Sequence, residues 1–175
     1  ILFVGKLNES KGYKIFVDAA KKFKSINKEW NFIAVGNESR KRIFPNKDIV
    51  KEIGYKSNKY VLNLYKNSEI SVGNSVWNEP LGRIAIESSS RKCLPIISNI
   101  AGLKESKSIA YVLKHNNSTE LFNVLIKFTK NITKRRKLQN EYYNKNKFSI
   151  QSTAKKIDNI RTNIFNNIYH VNKAN

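Results

Sequence analysis

The sequence holds two histidines, one cysteine and no methionine. His115, His170 and Cys93 are too few to complete the usual four ligands of a structural zinc site, so none is expected. No histidine lies near Cys93 in sequence, which argues against a catalytic thiol. Cys93 instead reads as a small buried hydrophobe at the entrance of an apolar strand. A lone cysteine forms no internal disulfide, which suits a reducing compartment. No apolar run approaches the ~20 residues that span a bilayer. The amino end is a short apolar strand without the basic leader of a signal peptide, so a cytoplasmic location is expected. The chain starts at Ile1 and lacks Met, so it is expected to be a piece of a longer protein.

Acidic residues are also scarce: 13 stand against 33 Lys and Arg, a net charge of +20. Such a balance attracts anions, whether nucleic acid, an acidic membrane surface or a phosphorylated small molecule. The lysines are scattered rather than gathered on one face, and compositional drift toward Lys, Asn and Ile accounts for them as well. A hydrophobic content of 40% over 175 residues suits one globular domain, spanning 1–175.

Along the chain, short apolar runs alternate with helical patterns. Residues 1–4 (ILFV), 31–35 (NFIAV), 49–53, 70–72, 94–98 and 109–113 read as buried strands. Between them, 13–23 carries an apolar helical stripe, 60–65 reads as a short helix in which Tyr60 and Tyr65 pack, and 80–91 as a longer one. The polar stretch before Asp48, with Pro45, reads as loop. Beyond 118 the pattern is helical over 120–131, 133–146 and 152–168, with Ser118 or Thr119 as the first cap. Alternation of this kind implies an α/β, Rossmann-like parallel sheet with helices on both faces and a helical carboxyl end. Ligands of such sheets bind beyond the carboxyl ends of the strands.

Three loops at that edge carry candidate residues. Gly5 lets a ligand approach the first strand's backbone, and Lys6 and Lys11 follow it either as a phosphate clamp or as two solvated lysines of a Lys-rich chain. Gly54 and Tyr55 end the third run, where Tyr55 can flank a base. In WNEPLGRIAIES, Pro80 suits the first position of a helix. The amides of Leu81, Gly82 and Arg83 are then expected to point outward as an anion or hydroxyl site. Glu79 stands before this helix, either as a carboxylate favoured there by the helix dipole or as an acceptor for sugar hydroxyls, and Glu87 eight residues later, inside it. A carboxylate beside Ile84-Ala85-Ile86 needs a partner: a pair of sugar hydroxyls, since an ionised carboxylate offers only acceptors, or equally a salt bridge to a nearby Lys or Arg or a solvated edge. Arg83 opposes the dipole of the first turn, so an anion nearby is expected; Arg91 suits the last turn and reads as structural. The run 134–137 (KRRK) reads as a solvated helix face, with contact to membrane phosphates as its functional alternative.

Together these motifs resemble the C-terminal, donor-binding domain of a retaining GT-B glycosyltransferase of family four. ILFVGKLNESKG resembles the family's strand, Gly, basic residue and Lys-Gly pattern. WNEPLGRIAIES resembles its Glu-Pro-Phe-Gly…Glu-Ala signature, PIISNIAGLKES the Gly-Gly loop that follows, and FSIQSTAKKIDNIRTNIF its final helix. The Leu-Gly-Arg variant with IISN resembles most the lipopolysaccharide-core mannosyltransferases. Leu81 replaces the family's usual Phe, Lys92 a Gly before the strand, and Ala101 the first Gly of the loop.

The resemblance implies transfer of a sugar from a GDP- or UDP-linked donor, with retention and without a metal or other cofactor. Lys6 and Lys11 would hold the diphosphate, Glu87 the ribose, and Glu79 the sugar hydroxyls. The amides of Leu81 and Gly82 would meet sugar or phosphate, and the backbone at Gly54-Tyr55 the base. A glycan or lipid-linked acceptor would be bound mainly by an N-terminal domain outside this sequence, so this chain alone is expected to be inactive. The protein would lie in the cytoplasm, in peripheral contact with the anionic inner membrane, and would take no specific nucleic acid. The competing readings are a basic nucleic-acid-binding module and a catalytically inactive scaffold relative.

Overall fold

The structure, a computed structural model, describes residues 1–39, 47–146 and 149–171. Within them six strands form one parallel sheet: β1 (Leu2–Val4), β2 (Ile33–Val35), β3 (Lys51–Glu52), β4 (Ile70–Gly73), β5 (Leu94–Ile97) and β6 (Tyr111–Val112). Their order is β3-β2-β1-β4-β5-β6. The helices are α1 (Tyr13–Lys24), α2 (Asn58–Lys66), α3 (Arg83–Ser89), α4 (Ala101–Glu105), α5 (Ser118–Lys130), α6 (Ile132–Lys145) and α7 (Ile150–Val171). This is the α/β, Rossmann-like half-fold expected, with its helical end. The expected loop through Pro45 lies, over 40–46, outside the described residues.

Alternation along β1 shows how the two faces are covered. Phe3 points to one side and packs among Tyr13 and Phe16 of α1, with ring centroids 5.0 and 5.2 Å away. Leu2 points to the other side, into a cluster with Val61 and Tyr65 of α2 and with Cys93. On the first face Phe32 lies between Phe16 and Phe23, so the apolar stripe of α1 is spent on aromatic contacts. Cys93 is fully buried, and burial pushes its thiol up to about 12, which suits a small hydrophobe rather than a nucleophile.

Several expectations change. The ladders are shorter than the apolar runs, most of all at the sheet edges, where β3 and β6 have one partner each. Residues 101–105, expected as loop, form α4. Asn117, not Ser118 or Thr119, caps α5: its side chain accepts from the Glu120 N–H. An Asn one residue earlier fits the cap better because Glu120 then sits at the third helical position and reaches back to the N–H groups of Lys114 and His115. Tyr60 is exposed beside Lys56 rather than packed.

The KRRK run is only partly a solvated face. Arg135 is buried, donates to Glu69 at 3.0 Å and to the Phe128 carbonyl at 2.7 Å, and stacks on Trp30. A helix period turns one residue of any four inward, and the long aliphatic stem of Arg tolerates it.

Candidate active site at the crossing of two loops

Strand order reverses between β1 and β4, and the loops leaving their carboxyl ends meet there. After β1 the chain runs through Gly5 into a 3-10 turn at Glu9–Lys11, capped by Asn8, whose side chain accepts from the Lys11 N–H. Gly12 then turns the chain into α1 in the left-handed region, φ 73°. A Cβ there would lie 1.9 Å from the Asn74 carbonyl oxygen, so the two loops cross backbone against backbone.

The β4 loop is bound to this turn polar group by polar group. Asn74 donates its side-chain amide to the Gly12 carbonyl at 2.9 Å. Ser75 Oγ and the N–H groups of Val76 and Trp77 all donate to the Ser10 carbonyl, at 2.9 to 3.0 Å. Ser98, after β5, donates to the Ser75 carbonyl at 2.8 Å. Asn116 donates to the carbonyls of Asn74 and Ser75. Asn74, Ser75 and Ser98 are buried, so these bonds are held out of water and fix the loop.

That scaffold carries a cavity of about 220 Å³. Lys11, Glu79, Arg83, Glu87 and Tyr65 line it, with Gly5, Leu81 and Gly82 on its walls. Lys11 Nζ lies 2.8 Å from a Glu79 carboxylate oxygen, a pair joined from loops 68 residues apart. Glu87 faces Arg83 at 3.7 Å, one helical turn away. Burial raises the Glu87 carboxyl above its ordinary range, and Arg83 pulls it partly back. The cavity therefore offers two cations, Lys11 and Arg83, and two carboxylates to a ligand with both anionic and hydroxyl groups.

The expected helix entrance needs correction. α3 begins at Arg83, not Pro80, and Gly82 (φ −83°, ψ 87°) is not helical. A helix starting at Pro80 would have the Glu79 carbonyl accept from the Arg83 N–H. Here that carbonyl accepts from the Gly102 N–H at 2.8 Å, which holds residues 80–82 out of the helix. A Cβ on Gly102 would lie 2.1 Å from the Pro80 oxygen, so only glycine permits this approach. The amides of Leu81 and Gly82 thus belong to a segment ahead of the helix, not to its first turn.

Of the other expected residues, Lys6 is exposed and does not line the cavity. Gly54 turns at φ 69° and accepts through its carbonyl from the Gly36 N–H at the end of β3; Tyr55 beside it is 80% exposed. Neither lines the cavity. Arg83 lines the cavity and faces the Glu87 carboxylate, and Arg91 donates to the Ser90 carbonyl at the end of α3. The sequence reading missed Asn74, Ser75, Ser98, Asn116, Gly102 and Tyr65. For Asn74, Ser75 and Ser98 a signal existed, since they follow strands at the same edge that drew attention to Gly5. For the others only tertiary placement reveals a role.

Residues 1–145 match the family Glycosyl transferases group 1. No curated protein matches the chain. Among solved structures, Anabaena HepE in complex with UDP-glucose superposes with a TM-score of 0.76 at 16% identity, over 93% of this chain and 48% of that one. A glycosyltransferase from Rickettsia africae gives 0.78 at 24%, over 94% and 47%. The C-terminal domain of the group 1 glycosyl transferase LpcC from Francisella tularensis gives 0.73 at 18%, over 85% and 86%. At these identities the likeness is one of fold. The chain spans about half the length of the first two.

Proposed function

The chain belongs to the group 1 glycosyl transferases, and from that premise we propose that it is the donor-binding half of a retaining GT-B enzyme, taking a nucleotide-sugar. The observation that carries this is the convergence of Lys11, Glu79 and Glu87 on one cavity at the point where strand order reverses. The HepE structure with UDP-glucose supports the ligand class, as does the matched family.

In this reading the diphosphate competes with Glu79 for Lys11. The ammonium then meets the charge that develops on the leaving phosphate, which is where a fixed cation lowers the barrier most. Lys6, on the same loop, joins from solvent. Glu79, released from Lys11, accepts from the sugar hydroxyls, and the amides of Leu81 and Gly82 meet sugar or phosphate. Glu87 accepts from the ribose, and the backbone at Gly54 and Tyr55 receives the base. The two lysines supply the positive charge, so no metal is required. Mannose is the proposed sugar and a lipopolysaccharide-core or related glycan the proposed acceptor, from the Leu-Gly-Arg variant and the IISN strand. The acceptor falls to an N-terminal domain in the rest of a longer protein, so this half alone transfers nothing.

Calorimetric titration with GDP-mannose, UDP-glucose and UDP-N-acetylglucosamine tests the proposal, with ATP and a short duplex as controls. Selective binding of one nucleotide-sugar, lost in Glu87→Ala, is the expected result. Unselective binding of ATP and duplex, abolished by salt, would overturn it.

A further inference from the structure

Tyr65 on α2 is fully buried, and its hydroxyl has no hydrogen-bond partner among the described residues. A buried phenol normally finds one. Tyr13 shows this in the same molecule, donating to Glu52 at 2.8 Å. The ring of Tyr65 is accounted for by Leu2, Val35, Val61 and Cys93, and a phenylalanine would fill that apolar space as well. The oxygen is not accounted for. Yet Tyr65 lines the cavity that Glu87 and Arg83 line, and it is close enough to both to feel their charge. Burial and the neighbouring Glu87 hold the phenol well above its ordinary range, so it is a neutral donor at any physiological pH.

The Glu87 carboxylate only accepts, so it takes the protons of a sugar diol and leaves the diol's oxygens with unused lone pairs. A neutral O–H on a residue that lines the same cavity supplies the missing complement. We propose that the Tyr65 hydroxyl is a ribose-reading donor, bonding to an oxygen of the diol that Glu87 grips, so that the pair distinguishes a ribonucleotide from its deoxy counterparts. The inference rests on the nucleotide-sugar reading and adds to it a second ribose group and a source of sugar selectivity.

The test is calorimetry of the wild-type chain, Tyr65→Phe and Glu87→Gln. Each is titrated with GDP and UDP and with the 2′-deoxy and 3′-deoxy forms of whichever binds. Tyr65→Phe keeps the ring and is expected to melt no lower than wild type. It should weaken the ribonucleotide about 5- to 10-fold, the effect of one neutral hydrogen bond. For one of the two deoxy forms it should change nothing, because that ligand already lacks the accepting oxygen. Equal weakening of all three ligands, or no weakening of the ribonucleotide, overturns the inference. If Glu87→Gln loses binding while Tyr65→Phe does not, the nucleotide-sugar reading stands and the Tyr65 role falls. A wild-type chain that binds no nucleotide overturns both.

Discussion

Glu87 is held in the fold at a disadvantage. Its carboxyl lies above the ordinary value of 4.5, with burial as the main cause and Arg83 opposing it. A carboxyl whose folded pKa is raised favours the folded state while protonated. That contribution is present below the ordinary pKa and is lost as pH rises through the folded one. At neutral pH the ionised side chain is therefore a burden. Glu87→Gln is expected to raise the melting temperature at pH 7, with a gain that shrinks as pH falls toward 4.5, while nucleotide affinity drops. A melting difference that stays constant with pH would contradict this account. Lys11 and Glu79 are a different case. Both are partly exposed, so their pair adds at most ~1 kcal/mol to the fold. The loop crossing that aligns them is held by the buried bonds of Asn74 and Ser75 instead.

Among the elements, α3 shows most clearly how a backbone choice sets a site. Its start is delayed to Arg83 because Gly102 takes the Glu79 carbonyl, and its end is forced by Lys92 in the left-handed region at φ 57°. That position normally takes glycine, and a residue with a Cβ costs ~1–2 kcal/mol there. Lys92 recovers part of this by holding its ammonium 5.0 Å from the Tyr143 ring centroid, an exposed contact worth ~0.5 kcal/mol. Lys92→Gly is expected to stabilise the protein by about 0.5–1 kcal/mol in urea unfolding. It should leave nucleotide binding unchanged, since Lys92 does not line the cavity. A loss of stability would mean that the ring contact outweighs the backbone strain.

At the scale of the whole molecule the charge of +20 sets a long-range field, but the proposed contact is local. Exposed lysines are screened over ~10 Å at 0.1 M salt. A diphosphate held by one or two lysines is expected to lose less than about tenfold in affinity between 50 and 200 mM salt. A nucleic-acid footprint of 6–10 phosphates would lose roughly a thousandfold or more. Calorimetry at the two salt concentrations distinguishes them. A steep loss for the nucleotide would shift its binding from the cavity to the general field. No helix among the described residues is long and apolar enough to cross a membrane.

Much of this was legible in the linear sequence. Buried parallel strands are apolar throughout and helices repeat on a turn, so β1, β4, β5 and α1 could be placed from their residues, and with them the edge where ligands bind. Gly5, Lys11, Glu79 and Glu87 could be singled out for the same reason, since their types and positions carry chemistry whatever surrounds them. The start of α3 could not, because the carbonyl that decides it bonds to Gly102, 23 residues on. Nor could the burial of Arg135, the exposure of Tyr60, or the separation of Lys6 and Tyr55 from the cavity. Tyr65 reads as packing in any sequence. Only the tertiary structure, by sealing its ring among apolar neighbours and leaving its oxygen without a partner on a residue that lines the cavity with Glu87, turns it into a candidate ligand. Local pattern governs which element forms. Contacts between segments distant in sequence govern which face, which carbonyl and which hydroxyl remain for a ligand.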